Sequence, residues 1–82
     1  MSKEKIVNPL TRYLRYERGM TLKGWATIND VSYGMTNHVI NAGMYYQPIV
    51  SILREQELYE KLPLGTRRKI ESQEREALQE TR

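Results

Sequence analysis

The residues best suited to chemistry in this 82-residue chain are polar side chains near its middle. Tyr33, Asn37 and Asn41 follow one another at the spacing of one helix face, and Gly34 and His38 lie beside them. An asparagine amide can pair with adenine through two hydrogen bonds, and a histidine can reach a guanine or a phosphate. This row of residues therefore has chemistry suited to base edges. It has no Arg or Lys, so the commonest specific contact, arginine to guanine, is not available from it.

A predicted third helix positions this row. Ser32 is a good N-cap, and Gly43 is the residue best able to adopt the positive φ of a helix C-terminus, so we expect a helix over Tyr33–Ala42. Met35, Val39 and Ile40 fall at helical spacing and are expected to face inward. The polar row is then left on the outward side.

Two further helices should precede it. Asn8 before Pro9 predicts the start of a helix that runs to about Arg18 and ends at Gly19. Thr21 is the next cap, for a second helix over about residues 22–29, followed by turn chemistry at Asn29-Asp30. The residues expected on the buried sides of these two helices are Leu10, Tyr13, Leu14, Leu22, Trp25 and Ala26.

The second half of the chain divides at Pro63. Pro48 can open a fourth helix, whose buried side would comprise Ile49, Val50, Ile52 and Leu53, and the core would close with Leu58, Tyr59 and Leu62. The segment after Pro63 has few apolar residues, and its basic residues precede its acidic ones, which opposes the helix dipole. We therefore expect an all-α, four- to five-helix domain over 1–63 and a charged C-terminal tail or partly ordered helix over 64–82.

Composition limits the classes of function. Cysteine is absent, no stretch of about 20 apolar residues occurs, and the first ten residues do not resemble a signal peptide, so we expect a cytoplasmic protein without membrane contact. Residues 1–54 carry seven Lys/Arg against three acidic residues, and residues 55–82 carry six against seven. A basic front part suits a polyanionic partner, although a charge this small does not identify one.

A family resemblance covers about a third of the chain. The matching residues are Thr21-Leu22-Lys23, Trp25-Ala26, Asn29-Asp30-Val31-Ser32 and Val39-Ile40-Asn41. This pattern resembles the helix-turn-helix regulators of temperate phages, of the Cro and repressor type. It is closer to small proteins of Mu-like transposable phages, which carry a segment like TLKxWAxxNGFS followed by VLNG. Here Asp30 stands at the position of the usual glycine. Aspartate is one of the few other residues that adopt the left-handed backbone conformation of this turn.

The resemblance implies a sequence-specific DNA-binding transcriptional regulator, for example a repressor, of a phage or prophage. Tyr33, Gly34, Asn37 and His38 match the base-reading positions of the recognition helix, and Asn41 extends that row. We expect double-stranded DNA as the partner, bound by a homodimer with half-sites about 34 Å apart, in a bacterial cell or phage-infected host. Phosphate contacts are expected from Arg12, Arg15, Arg18, Lys23, Tyr45 and Tyr46.

Two alternatives use the same scaffold differently. The chain could be a protein-binding adaptor or anti-repressor-like module that grips a partner through the Tyr45-Tyr46 loop or the tail, and the lack of arginine in the third helix favours this. It could also be a homo-oligomeric assembly factor. The dimer surface stays open between helix 4, residues 44–46 and the tail. No catalytic motif and no metal-ligand spacing accompanies the lone His38, so we expect neither an enzyme nor a cofactor.

Overall fold

The computed structural model describes residues 8–80 and consists of helices joined by short turns. No strand occurs within these residues, which confirms the all-α prediction. In chain order the elements are α1 Pro9–Glu17, α2 Leu22–Ile28, α3 Tyr33–Ala42, α4 Gln47–Glu55, a 3-10 helix at Tyr59–Lys61, and α5 Leu64–Glu80. The prediction for α3 matches at both ends, and those for α1 and α2 extend one residue too far.

Side-chain caps start the first three helices at the expected residues. In each case the cap oxygen accepts a hydrogen bond from a backbone N–H of the first turn, at 2.9 to 3.2 Å. The pairs are Asn8 with Leu10, Thr21 with Gly24, and Ser32 with Met35. Each cap of this kind contributes about 1 kcal/mol relative to alanine. Local sequence signals therefore set where these helices begin.

The end of α2 is a Schellman turn formed without glycine. Asp30 has a φ of 59°. Its N–H donates to the Thr27 carbonyl at 3.2 Å, and the Val31 N–H donates to the Ala26 carbonyl at 3.0 Å. These bonds satisfy carbonyls that the helix end leaves open and direct the chain back toward α3.

The same turn ends α4, with Glu57 in the left-handed conformation at a φ of 62°. The Leu58 N–H donates to the Leu53 carbonyl at 2.8 Å. Glutamate lacks the short side chain that makes this conformation cheaper for aspartate and asparagine.

We expect Glu57→Gly to raise the free energy of unfolding by about 0.5–1 kcal/mol, because glycine has no Cβ to strain this turn. Urea denaturation followed by circular dichroism would measure it. Asp30→Gly is the matched control and should give a smaller gain. A lower urea midpoint for Glu57→Gly would contradict the strain argument.

One hydrophobic core joins all the helices. Its fully or nearly fully buried members come from every α-helix and from the 3-10 segment, and Trp25 is the largest of them at 2% exposure. They are Leu10, Leu14, Leu22, Trp25, Val39, Ile40, Ile49, Val50, Leu53, Leu58, Tyr59, Leu62 and Ile70. Apart from Ile70, every one of these was expected in the core: nine from helical spacing, and Leu58, Tyr59 and Leu62 as the residues that close it.

The last helix is continuous and packs against the others. Ile70 of α5 is fully buried in the shared core. Arg54 of α4 forms a bidentate salt bridge with Glu74, at 2.9 and 3.0 Å, and this hydrogen-bonded pairing lowers the pKa of Glu74. The sequence predicted a frayed helix or a tail that orders on a partner. These contacts instead anchor the helix on its own chain, and they outweigh its unfavourable charge order.

Tyr59 gives the fold an alkaline pH dependence. Its hydroxyl donates to the Glu71 carboxylate at 2.7 Å, and burial together with this bond raises the pKa of Tyr59 to about 12. Tyrosine in the unfolded chain titrates near 10. A raised folded-state pKa gives stability that is present below pH 10 and is lost as the pH rises toward 12.

We therefore expect Tyr59 to make the free energy of unfolding fall more steeply between about pH 9 and about pH 11.5 than it does in Tyr59→Phe. Denaturation series at these pH values would measure both proteins, and the phenylalanine variant controls for the titration of lysines. Parallel losses in the two proteins would contradict the assignment.

Candidate nucleic-acid interface

Helix α3 separates an inward face from an outward polar one. Thr36, Val39 and Ile40 are fully buried, and the Thr36 hydroxyl donates to the Ser32 carbonyl at 2.7 Å. The outward face holds all five residues predicted to read bases. Of these, Tyr33, Gly34, His38 and Asn41 are exposed and Asn37 is half-buried. The structure therefore brings the predicted row together on one surface.

Two of these five residues are already joined by a hydrogen bond. The Asn41 amide nitrogen donates to the Asn37 side-chain oxygen one helical turn away. Asn8, the cap of α1, reaches the same place: its amide nitrogen donates to the Ile40 carbonyl at 2.8 Å and to the Asn41 side-chain oxygen at 3.2 Å. A chain of three amides thus runs from α1 along α3.

The predicted phosphate-binding cations lie on α1, at its C-terminal end and on α2. Arg12, Arg15, Arg18 and Lys23 are all exposed. Within residues 8–80, the one salt bridge in the structure is that of α4 with α5, so none of these four cations is paired with an acid there. Arg18 lies over the Tyr13 ring at 5.5 Å. The other three make neither a salt bridge nor a ring contact with the residues that the structure describes.

The two tyrosines of the α3–α4 loop differ in exposure. Tyr46 is 39% exposed, whereas Tyr45 is half-buried and packs against the core. The Tyr45 backbone N–H donates to the side-chain oxygen of Gln73 at 3.0 Å. Tyr46 is therefore the more accessible of the two tyrosines to a partner.

Gln73 and Gly43 fix α5 against the end of α3. The Gln73 side-chain nitrogen donates to the Gly43 carbonyl at 2.7 Å. Gly43 has a φ of 74°, and a Cβ on it would lie 2.9 Å from the Cβ and Cδ of Lys69. A side chain at residue 43 is therefore opposed by both the backbone and α5.

We expect Gly43→Ala to lower the free energy of unfolding by more than the roughly 1–2 kcal/mol of the left-handed conformation alone, because Lys69 must also move. Gly19→Ala is the matched control: its φ is 62°, but no atom lies within 4 Å of the added Cβ. Thermal or urea denaturation would compare the two. Equal losses would show that the packing of α5 adds nothing.

Sequence reasoning missed two features of this surface. One is Asn8, which was predicted only as a cap and also bonds to α3. The other is Ile28, the last residue of α2, which is 70% exposed just before the turn that leads to Tyr33. Helical spacing from Trp25 could have indicated the outward position of Ile28, but no local signal indicates that Asn8 meets residues more than thirty positions away.

The described residues give no sign of a metal centre or a membrane span. Within residues 8–80, no group of three or more His, Cys, Asp or Glu side chains lies close enough to hold a metal ion. No helix in the same range is long and apolar enough to cross a bilayer. Comparisons with protein-family models, curated proteins and solved structures found no match.

Proposed function

We propose that this chain is a sequence-specific DNA-binding transcriptional regulator of phage or prophage type, in which α2, the turn and α3 form a helix-turn-helix. The observation that carries the proposal is the outward face of α3. It offers hydrogen-bonding side chains at Tyr33, Asn37, His38 and Asn41, with no acidic residue on the helix to repel a polyanion. In this role α3 enters the major groove, where side chains meet base edges.

Phosphate contacts come from the neighbouring elements in this proposal. Arg12, Arg15 and Lys23 are exposed and have no acidic partner within residues 8–80, so counterion release on binding phosphates would favour association. Because one such module binds weakly, the regulator acts as a homodimer on half-sites about 34 Å apart.

Fluorescence anisotropy with a randomised double-stranded DNA pool tests this proposal. We expect binding whose logarithm falls linearly with the logarithm of salt concentration, with a slope near −0.9 for each phosphate contact. Arg12→Ala and Arg15→Ala should each reduce that slope by about one contact. Ser72→Ala, at an exposed position of α5, is the control and should leave both slope and affinity unchanged.

The base readers are tested by selecting bound sequences from the same pool. Asn37→Ala and His38→Ala should remove part of the enriched sequence while much of the salt-dependent affinity remains, because phosphate contacts position and base contacts specify. Absence of binding by the wild-type protein at low salt would overturn the proposal.

A second candidate is a protein-binding adaptor. The observation in its favour is the pair of exposed hydrophobic residues on either side of the turn, Ile28 at 70% and Tyr33 at 47% exposure. Tyrosine is enriched where protein interfaces gain most of their energy. Such an interface would depend little on salt, so the salt series above discriminates the two functions.

A further inference from the structure

The side-chain amides of Asn8, Asn41 and Asn37 form a hydrogen-bonded amide chain along α3. The direction of donation in this amide chain is fixed at the Asn8 end by backbone groups. The side-chain oxygen of Asn8 faces the Leu10 N–H, which can only donate, at 2.9 Å. Its side-chain nitrogen faces the Ile40 carbonyl, which can only accept, at 2.8 Å. Rotating this amide by half a turn would oppose donor to donor and acceptor to acceptor. The orientation of Asn8 is therefore set by main-chain groups on both sides.

The orientation of the Asn8 amide determines the orientations of the other two amides in the amide chain. The nitrogen of Asn8 also lies 3.2 Å from Asn41, and a donor there requires the oxygen of Asn41. The nitrogen of Asn41 is then directed at Asn37 and meets its oxygen. The free end of the chain is thus the amide nitrogen of Asn37, which has no acceptor within residues 8–80.

A donor at this position favours certain bases. Pairing with adenine through two hydrogen bonds needs an acceptor and a donor from the same amide, and Asn41 already occupies one of the two acceptor positions on the oxygen of Asn37. Guanine presents two acceptors in the major groove, N7 and O6, and no donor. The outward NH₂ group of Asn37 matches that edge.

We propose that Asn8 is a positioning residue for base reading: the chain Asn8–Asn41–Asn37 holds Asn37 as a donor, so that α3 selects guanine over adenine at the base that Asn37 contacts. This proposal rests on the proposed DNA-binding function. It also replaces the adenine pairing that the sequence suggested for Asn37.

Sequence selection from a randomised duplex pool tests the role of Asn8. At the base position whose preference is lost in Asn37→Ala, the wild-type protein should prefer guanine over adenine by at least about fivefold, the lower range of hydrogen-bond discrimination. In Asn8→Ser the ratio should fall to about one or reverse. Serine keeps the cap on α1 but cannot reach α3, and circular dichroism would verify the fold.

Two further variants sharpen this test. Asn41→Ala removes the middle of the chain and should relax the preference in the same way as Asn8→Ser. Thr21→Ser changes the cap of α2, which has no link to the amide chain, and should leave the preference intact. An unchanged guanine preference in Asn8→Ser would overturn the positioning role even where DNA binding itself holds.

The amide chain can also be examined in the free protein. Side-chain NH₂ exchange by NMR should be slow for Asn8 and Asn41, whose nitrogens are bonded, and fast for Asn37. Asn8→Ser should speed the exchange of Asn41. Uniformly fast exchange in the wild type would overturn the chain independently of DNA, whereas failure to bind DNA with the expected exchange pattern would overturn the proposed function and the base preference with it.

Discussion

Trp25→Ala should lower the free energy of unfolding by about 3–5 kcal/mol and leave the domain marginally folded or unfolded at 25 °C. The side chain is 2% exposed in the shared core, and its loss would leave a cavity between α2 and its neighbours. Small domains have only about 5–15 kcal/mol of total stability, so this single loss takes up much of it. Urea denaturation followed by far-UV circular dichroism would measure the change.

Trp25→Phe separates the volume of this side chain from its polar contact. The indole N–H donates to the Gln56 side chain at 3.1 Å, and the Gln56 nitrogen donates to Asn29 at 2.7 Å. Phenylalanine keeps most of the apolar volume and should cost less than half as much as alanine, because one hydrogen bond contributes about 1 kcal/mol. Equal losses for the two variants would mean that burial of the ring is not the main contribution.

Ile70→Ala should lower the free energy of unfolding by about 2–5 kcal/mol, because this residue is fully buried although it lies in a helix composed mainly of polar and charged residues. If α5 did not pack against the core, the same substitution would hardly change the free energy of unfolding. Ile70→Val should cost about 0.5–1.5 kcal/mol, in proportion to the methylene removed. Ser72→Ala, on the exposed side of the same helix, provides the control.

The outcome for Ile70 also decides where the folded unit ends. A loss of several kcal/mol predicts that a chain ending at residue 63 does not fold by itself. A loss below about 0.5 kcal/mol, comparable to that of a surface substitution, would show that α5 contributes little to the core.

The first three helices could be predicted closely because their signals are local. A cap lies within three residues of the N–H that it accepts, and an apolar face repeats every three to four residues, so Asn8, Thr21 and Ser32 suffice to start these helices. The predictions erred by one residue at the ends of α1 and α2. A helix ends where a turn such as the one at Asp30 forms. Several adjacent residues could form that turn, so the sequence does not fix the last helical residue.

The docking of α5 could not be predicted in the same way. Ile70 is one apolar residue among charged ones, and nothing in its neighbourhood reveals that Gln73 reaches Gly43 or that Glu74 meets Arg54. These pairs are separated by twenty to thirty residues. Whether they meet depends on how the helices cross, which is a property of the assembled core.

The candidate interface shows the same division. The outward row of α3 follows from helical periodicity, and its members share a surface as predicted. The bond from Asn8 to Asn41, in contrast, requires the start of α1 to lie beside the end of α3. Sequence therefore indicated which residues face outward, whereas tertiary structure determines which hydrogen-bonding group each one offers.

The single core shared by α1 to α5 has a consequence for how this protein unfolds. Because α1 through α5 each contribute buried side chains to one cluster, no helix within residues 8–80 has a separate core in which it could remain folded alone. The best-protected backbone amides of different helices should therefore exchange with deuterium through one common unfolding event, with the same free energy and the same dependence on denaturant.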